Sequence, residues 1–299
     1  MEVRFNHLHF LNADAEYPDA SVVLLGCPFD GTTTYQPGSR FAPNAIREAS
    51  QAIESYSPHQ DRDLSSISFC DLGDLELPFG NTPIILGLIN QAMDQVLNDR
   101  KVPVTLGGEH LITLPVITAF KKYYPDLMVV HIDAHADLRD EYLGERLSHS
   151  TVMRRALEII GESNLIQIGI RSGTQEEFVL ARRLGCQYRT NQIGYQYETN
   201  QNDLKVDLVD ITRKIEGKPL YISLDLDVLD PSVLPGTGTP EPGGLTFAQL
   251  IQILSALRKG KVVGMDVVEL LPYQTPHQVS SIVAAKIIRE AILFYFAAP

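Results

Sequence analysis

A chain of 299 residues, 44% hydrophobic and 21% charged, has an ordinary globular composition and the length to bury a large core. Its formal net charge of −12 argues against nucleic acid or an anionic membrane as partner, since both select a basic face. Cys27, Cys70 and Cys186 are odd in number and widely spaced, which argues against a disulfide framework or a thiolate zinc site; they read as small buried hydrophobes.

The first segment, MEVRFNHLHFLNADAEYPD, lacks the basic start and apolar run of a signal peptide. No stretch reaches the roughly 18 apolar residues of a membrane span, so a reducing cytoplasm is the expected compartment. Near-continuous Val/Ile/Leu runs predict strands at 21–27, 102–106, 127–133, 165–170, 220–225 and 262–268, each covered on both faces. Thr82-Pro83 reads as an N-cap and a proline at the first helical position, opening a helix to about Asn98. Thr246 caps a second helix over 247–259 that stops at Gly260, and a well-buried helix runs from about Val279 to Phe296. The alternation predicts an α/β fold: a three-layer α/β/α arrangement around a doubly wound, mostly parallel sheet. The loop-rich zones, near 28–44, 138–149, 187–205 and 228–244, are too short to be domains, so 1–299 is expected to be a single one. In such sheets ligands bind beyond the carboxyl ends of the strands, where functional residues should therefore lie.

Two strand ends carry unusual chemistry. The run Leu127-Met128-Val129-Val130-His131 ends in Ile132-Asp133-Ala134-His135-Ala136-Asp137, and an extended chain would put Asp133, His135 and Asp137 on one side. The run from Tyr221 ends in Asp225-Leu226-Asp227, with Asp230-Pro231 beginning the next turn. So many carboxylates at one sheet edge are electrostatically costly unless cations neutralise them. Carboxylates with imidazoles, and no thiolate, suit manganese or a similar divalent ion. A third strand end, Thr105-Leu106-Gly107-Gly108-Glu109-His110, adds a histidine behind paired glycines that let the backbone turn tightly. His131, deeper in its strand, reads as a hydrogen-bonded core histidine.

These segments resemble the ureohydrolase family of arginases, agmatinases and guanidinobutyrases. The resemblance rests on GGEH at 107–110, DAHAD at 133–137, SLDLDVLDP at 223–231, GTGTPEPGG at 236–244, MDVVE at 265–269 and PGSRFAPNAIREAS at 37–50, and it spans nearly the whole chain. It implies an arginase-like fold with two Mn2+ per subunit. His110 and Asp137 would bind one ion, His135 and Asp227 the other, and Asp133 and Asp225 would bridge them. Glu269 would pair with a substrate guanidinium, and His149 would shuttle protons. The chain departs from the commoner pattern at Ser150, where glycine is usual, at Glu109, where aspartate is frequent, and at Leu111, where serine is.

The implied reaction is hydrolysis of a guanidinium C–N bond. A guanidinium stays protonated and is a poor electrophile, so a metal-bridging hydroxide is needed as nucleophile. Asp137 would carry the hydroxide's proton to the leaving nitrogen. GTGTPEPGGLT and ADLRDEYLGERLSHSTVMRR look closer to agmatinases than to arginases, which carry a different polar loop after DAHAD. The expected substrate is the small cationic guanidino compound agmatine, giving putrescine and urea; arginine and guanidino acids such as guanidinobutyrate are the alternatives. Homotrimers or homohexamers are expected by the same resemblance. A metal-dependent deacylase would need fewer carboxylates, and a phosphoesterase would prefer a basic clamp where Glu269 stands. An inactive metal-binding relative is disfavoured because every matched ligand position holds a competent residue.

Overall fold

The computed structural model describes residues 8–183, 208–273 and 278–297. In chain order the elements begin with β1 (Val22–Cys27), α1 (Ala42–Ser50), a short hairpin of β2 (Tyr56–Ser57) and β3 (Arg62–Asp63), and β4 (Phe69–Asp74). Next come α2 (Thr82–Asn98), β5 (Val102–Gly107), α3 (Thr113–Tyr123), β6 (Met128–Ile132), α4 (Val152–Ile160), β7 (Leu165–Ile168) and α5 (Gln175–Arg183). The last are α6 (Leu208–Ile215), β8 (Pro219–Asp225), α7 (Phe247–Ala256), β9 (Lys261–Val268) and α8 (Val279–Phe296). Seven of the strands form one sheet in the order β4-β1-β5-β9-β8-β6-β7, with every neighbouring pair parallel.

Strand side chains divide between two cores, which is why the runs are apolar without alternation. On β6, Met128, Val130 and Ile132 join a core containing Ile46 of α1, Leu250 of α7 and Ile288 of α8. Val129 points the other way, into a core with Ile89 of α2, Ile117 of α3 and Met153 of α4. The expected three-layer architecture is what the chain forms.

Six predicted strands are present with shifted ends. β6 stops at Ile132 and β7 at Ile168, short of the predicted 133 and 170, while β9 starts at Lys261. β4 was not predicted, because FCDLGD carries two aspartates. It is an edge strand, and the buried Arg47 of α1 neutralises it, with Nε 2.8 Å from Asp71 Oδ2 and a second contact to Asp74. Asn81, not Thr82, caps α2: its side chain accepts from Ile84 N–H at 3.2 Å, so Thr82 is already helical. Thr246 does cap α7, in a reciprocal pair with Gln249, but the α-helix ends at Ala256 and tightens to a 3-10 turn before Gly260. Cys27 and Cys70 are buried free thiols; Cys186 and the loop zone 187–205 lie outside the described residues. Among the described residues no helix is long and apolar enough to cross a membrane.

Candidate metal centre

The ends of β5, β6, β8 and β9 deliver the chemistry, but not through extended backbone. Beyond Ile132 the chain turns, and Asp137 reaches the site with a left-handed backbone at φ 53°. Beyond Asp225 the chain forms a 3-10 turn over Leu226–Val228, whose start Asp225 caps by accepting from Asp227 N–H at 2.8 Å. The alternation that predicted a shared side for Asp133, His135 and Asp137 therefore does not operate; turns bring the groups together.

Two groups of possible ligand atoms overlap, each within 4.8 Å: His110, His131, Asp133 and Asp137, and Asp133, His135 and Asp227. Asp133 belongs to both, with Oδ2 3.0 Å from His110 Nδ1 and Oδ1 3.6 Å from His135 Nδ1. Asp137 Oδ2 and Asp225 Oδ2 each lie 3.3 Å from the same His110 nitrogen, and Asp227 Oδ2 lies 2.8 Å from His135 Nδ1. All six of the sequence-derived ligand candidates thus converge.

Below them runs a polar row across the sheet. Thr105 on β5 pairs in register with Asp266 on β9, Asp266 with Ser223 on β8, Ser223 with His131 on β6, and His131 with Gln167 on β7. Ser223 Oγ donates to Asp266 Oδ1 at 2.8 Å, while Thr113 and Tyr221 hydroxyls donate to Oδ2 at 2.8 and 2.6 Å. With its proton committed there, Ser223 Oγ accepts from His110 Nε2–H at 2.9 Å. In the neutral ring that fixes the His110 tautomer and leaves the Nδ1 lone pair facing three carboxylates. Nδ1 of His110 and Oδ2 of Asp227 are buried and make no hydrogen bond. A lone pair crowded by carboxylate oxygens is repulsive unless a cation lies between them, so the donor set fits divalent metal ions.

The electrostatics agree. Burial, with Asp227 and Asp133 alongside, pushes the Asp225 carboxyl well up from its ordinary range. A proton therefore competes with a cation at this site. Binding of a divalent cation is expected to tighten as pH rises and to release protons, and titration calorimetry in buffers of different ionisation enthalpy measures the release. Heat independent of the buffer would contradict it.

Glu269 follows β9 in a left-handed conformation, φ 63°, a strained backbone of the kind found at functional sites. Its Oε1 accepts from His110 N–H at 2.7 Å. Burial first, then the neighbouring Glu109, pushes its carboxyl up to about 8. His149 opens a single 3-10 turn before α4. Burial lowers its imidazole below the ordinary range. A cavity of about 250 Å³ has Asp137, His149, Asp227 and Glu269 on its walls.

Glu109, flagged in the sequence only as a departure, is a strut. Its buried carboxyl, pushed up to about 7 mainly by burial, accepts from Thr32 N–H at 2.7 Å and from the Thr32 hydroxyl. Thr32 Oγ1 in turn accepts from His149 N–H at 2.9 Å, and Thr34 Oγ1 lies 3.1 Å from His149 Nε2. Leu111 is buried in the core beside α3. Asp230 is a turn holder as expected, accepting from Ser232, Gly243 and Gly244 N–H groups, with its carboxyl lowered to about 2 chiefly by Ser232. Sequence reasoning missed Ser223, Asp266 and Gln167. The available signal was a polar residue inside an otherwise apolar strand, one or two positions before the strand's last residue.

A parallel sheet that gathers buried carboxylates and imidazoles from several strand ends around an open cavity defines the class: an α/β protein with a carboxylate–histidine cluster that could hold metal ions. The Arginase family model matches residues 20–294. An agmatinase of Halalkalibacterium halodurans is 41% identical over 286 residues, 95% of each chain, and an agmatinase of Bacillus subtilis is 42% identical over the same coverage. The crystal structure of an agmatine ureohydrolase of Thermoplasma volcanium superposes with a TM-score of 0.85 at 33% identity, covering 97% of this chain and 95% of that one. The chain belongs to the arginase family.

Proposed function

We propose that the protein is an agmatinase, hydrolysing agmatine to putrescine and urea at a two-manganese centre held by His110, Asp133, His135, Asp137, Asp225 and Asp227. The observation that carries the reading is the Asp133 carboxylate, which turns one oxygen toward each histidine while His110 Nδ1 and Asp227 Oδ2 stand buried and unbonded. Similarity to agmatinases over 95% of the chain supports the substrate. We read residues 1–299 as one catalytic unit, working as a homotrimer or homohexamer in the cytoplasm.

Bound divalent ions would supply a hydroxide nucleophile at neutral pH by lowering the pKa of water from about 15.7. The chain's own groups do the rest. Glu269, buried beside His110, holds the planar guanidinium by a charge-assisted contact and fixes its carbon over the metal site. Asp137, turned inward by its left-handed backbone, accepts a proton and returns it to the leaving nitrogen. His149, partly buried at the cavity wall and held by Thr32 and Thr34, exchanges that proton with solvent.

The test is urea release by the manganese-loaded protein from agmatine, arginine, 4-guanidinobutyrate and guanidine. Agmatine is expected to show the highest kcat/KM; preference for arginine would correct the substrate, and no urea from any would end the reading. His149→Ala is expected to lower kcat about 100-fold with manganese content and KM little changed. Wild-type kinetics across neutral pH in that variant would remove His149 from the proton path.

A further inference from the structure

We propose that Gln167 and His131 are a positioning pair for the metal centre, with Gln167 selecting the imidazole tautomer that holds Asp133 in place. This rests on the metal-centre reading above. Gln167 is fully buried on β7, in register with His131 on β6. Its side-chain nitrogen lies 2.8 Å from the carbonyl oxygen of Ala136 and 3.0 Å from Nδ1 of His131.

Two oxygens do not share a 2.8 Å contact, so the group facing Ala136 is the amide NH2. The alternative orientation would set oxygen against oxygen, and the observed one persists although Oε1 of Gln167 is buried without a partner. The same nitrogen gives its second proton to His131, so Nδ1 of that ring accepts. The ring proton is then on Nε2, which donates to Asp133 Oδ2 at 2.7 Å.

Position alone makes His131 a possible ligand, since it lies among His110, Asp133 and Asp137. Its tautomer makes it a donor instead, because Nε2 has no lone pair to offer and Nδ1 is turned toward Gln167. The donated bond fixes the carboxylate that spans both groups. Ala136 sits between His135 and Asp137, so the same amide also anchors the turn that carries them. One buried glutamine thus orders three of the six proposed ligands.

Manganese titrated into metal-stripped wild type, Gln167→Leu, His131→Phe and the double variant tests the pair. Each single change is expected to weaken manganese binding about 10–100-fold and to lower kcat more than it changes KM for agmatine. The double variant should lose less than the product of the single losses, because both changes break one chain of bonds. Wild-type affinity in Gln167→Leu, or losses that multiply fully, would overturn the proposal. Nitrogen-15 spectra of metal-free wild type labelled at histidine read the tautomer directly, even where a variant fails to fold. A proton on Nε2 of His131 is expected, and a proton on Nδ1 overturns the pairing. Wild type that binds no manganese would sink the metal-centre reading, and the pair's role with it, whereas an unaffected Gln167→Leu on a manganese-binding wild type sinks the pair alone.

Discussion

Asp133→Asn is expected to lower kcat/KM for urea release by about 10³–10⁴-fold and to reduce the manganese bound per chain. That loss corresponds to about 4–5.5 kcal/mol of transition-state stabilisation. Among the described residues, Asp133 is the one carboxylate whose two oxygens face the two histidine groups separately, 3.0 Å from His110 and 3.6 Å from His135. An amide in its place offers one oxygen and one NH2, and the NH2 cannot face a cation. His131 Nε2–H donates to one carboxylate oxygen and His135 N–H to the other, so an amide also leaves one donor without an acceptor. Metal analysis beside steady-state kinetics checks the result. Full manganese occupancy with unchanged kinetics would remove Asp133 from the centre.

Glu269→Gln separates substrate anchoring from metal binding. The expected result is a fall of about 10³-fold in kcat/KM with the manganese content of wild type, because the lost contribution is the charge opposite the guanidinium. The substitution is nearly isosteric. Its Oε1 can still accept from His110 N–H, the bond of 2.7 Å that ties β9 to the glycine turn after β5. The backbone at φ 63° is strained equally for either residue, so folding should be little affected. Loss of manganese in this variant would make Glu269 a ligand instead of an anchor.

Much of the fold was legible because burial on both faces writes itself into sequence. Six of the seven sheet strands are apolar runs that can be read without knowing their partners. β4 was not legible: FCDLGD becomes a strand only when Arg47, from a helix more than twenty residues away, meets Asp71 and Asp74. The cap of α2 was misplaced by one residue because Asn81 and Thr82 are both competent and only the backbone decides between them.

The site divides in the same way. Asp133, His135, Asp137, Asp225 and Asp227 announced themselves as charges too dense for a sheet edge without a counter-ion. Their convergence was expected for an incorrect geometric reason, since turns replace the assumed extended chain. Glu109 shows the limit most clearly. In the sequence it is a variation beside His110, yet in the fold it fixes Thr32 and through it the backbone of His149, 40 residues further along the chain.

By itself the sequence determined the layers, most of the strands and the identity of the charged groups, because hydrophobic periodicity and charge density are local properties. Only the tertiary structure decided the row from Thr105 through Asp266, Ser223 and His131 to Gln167, which exists through the register of five strands. Register is a relation between segments far apart in the chain. The tautomers of His110 and His131, and so the direction in which each ring presents a lone pair, follow from it.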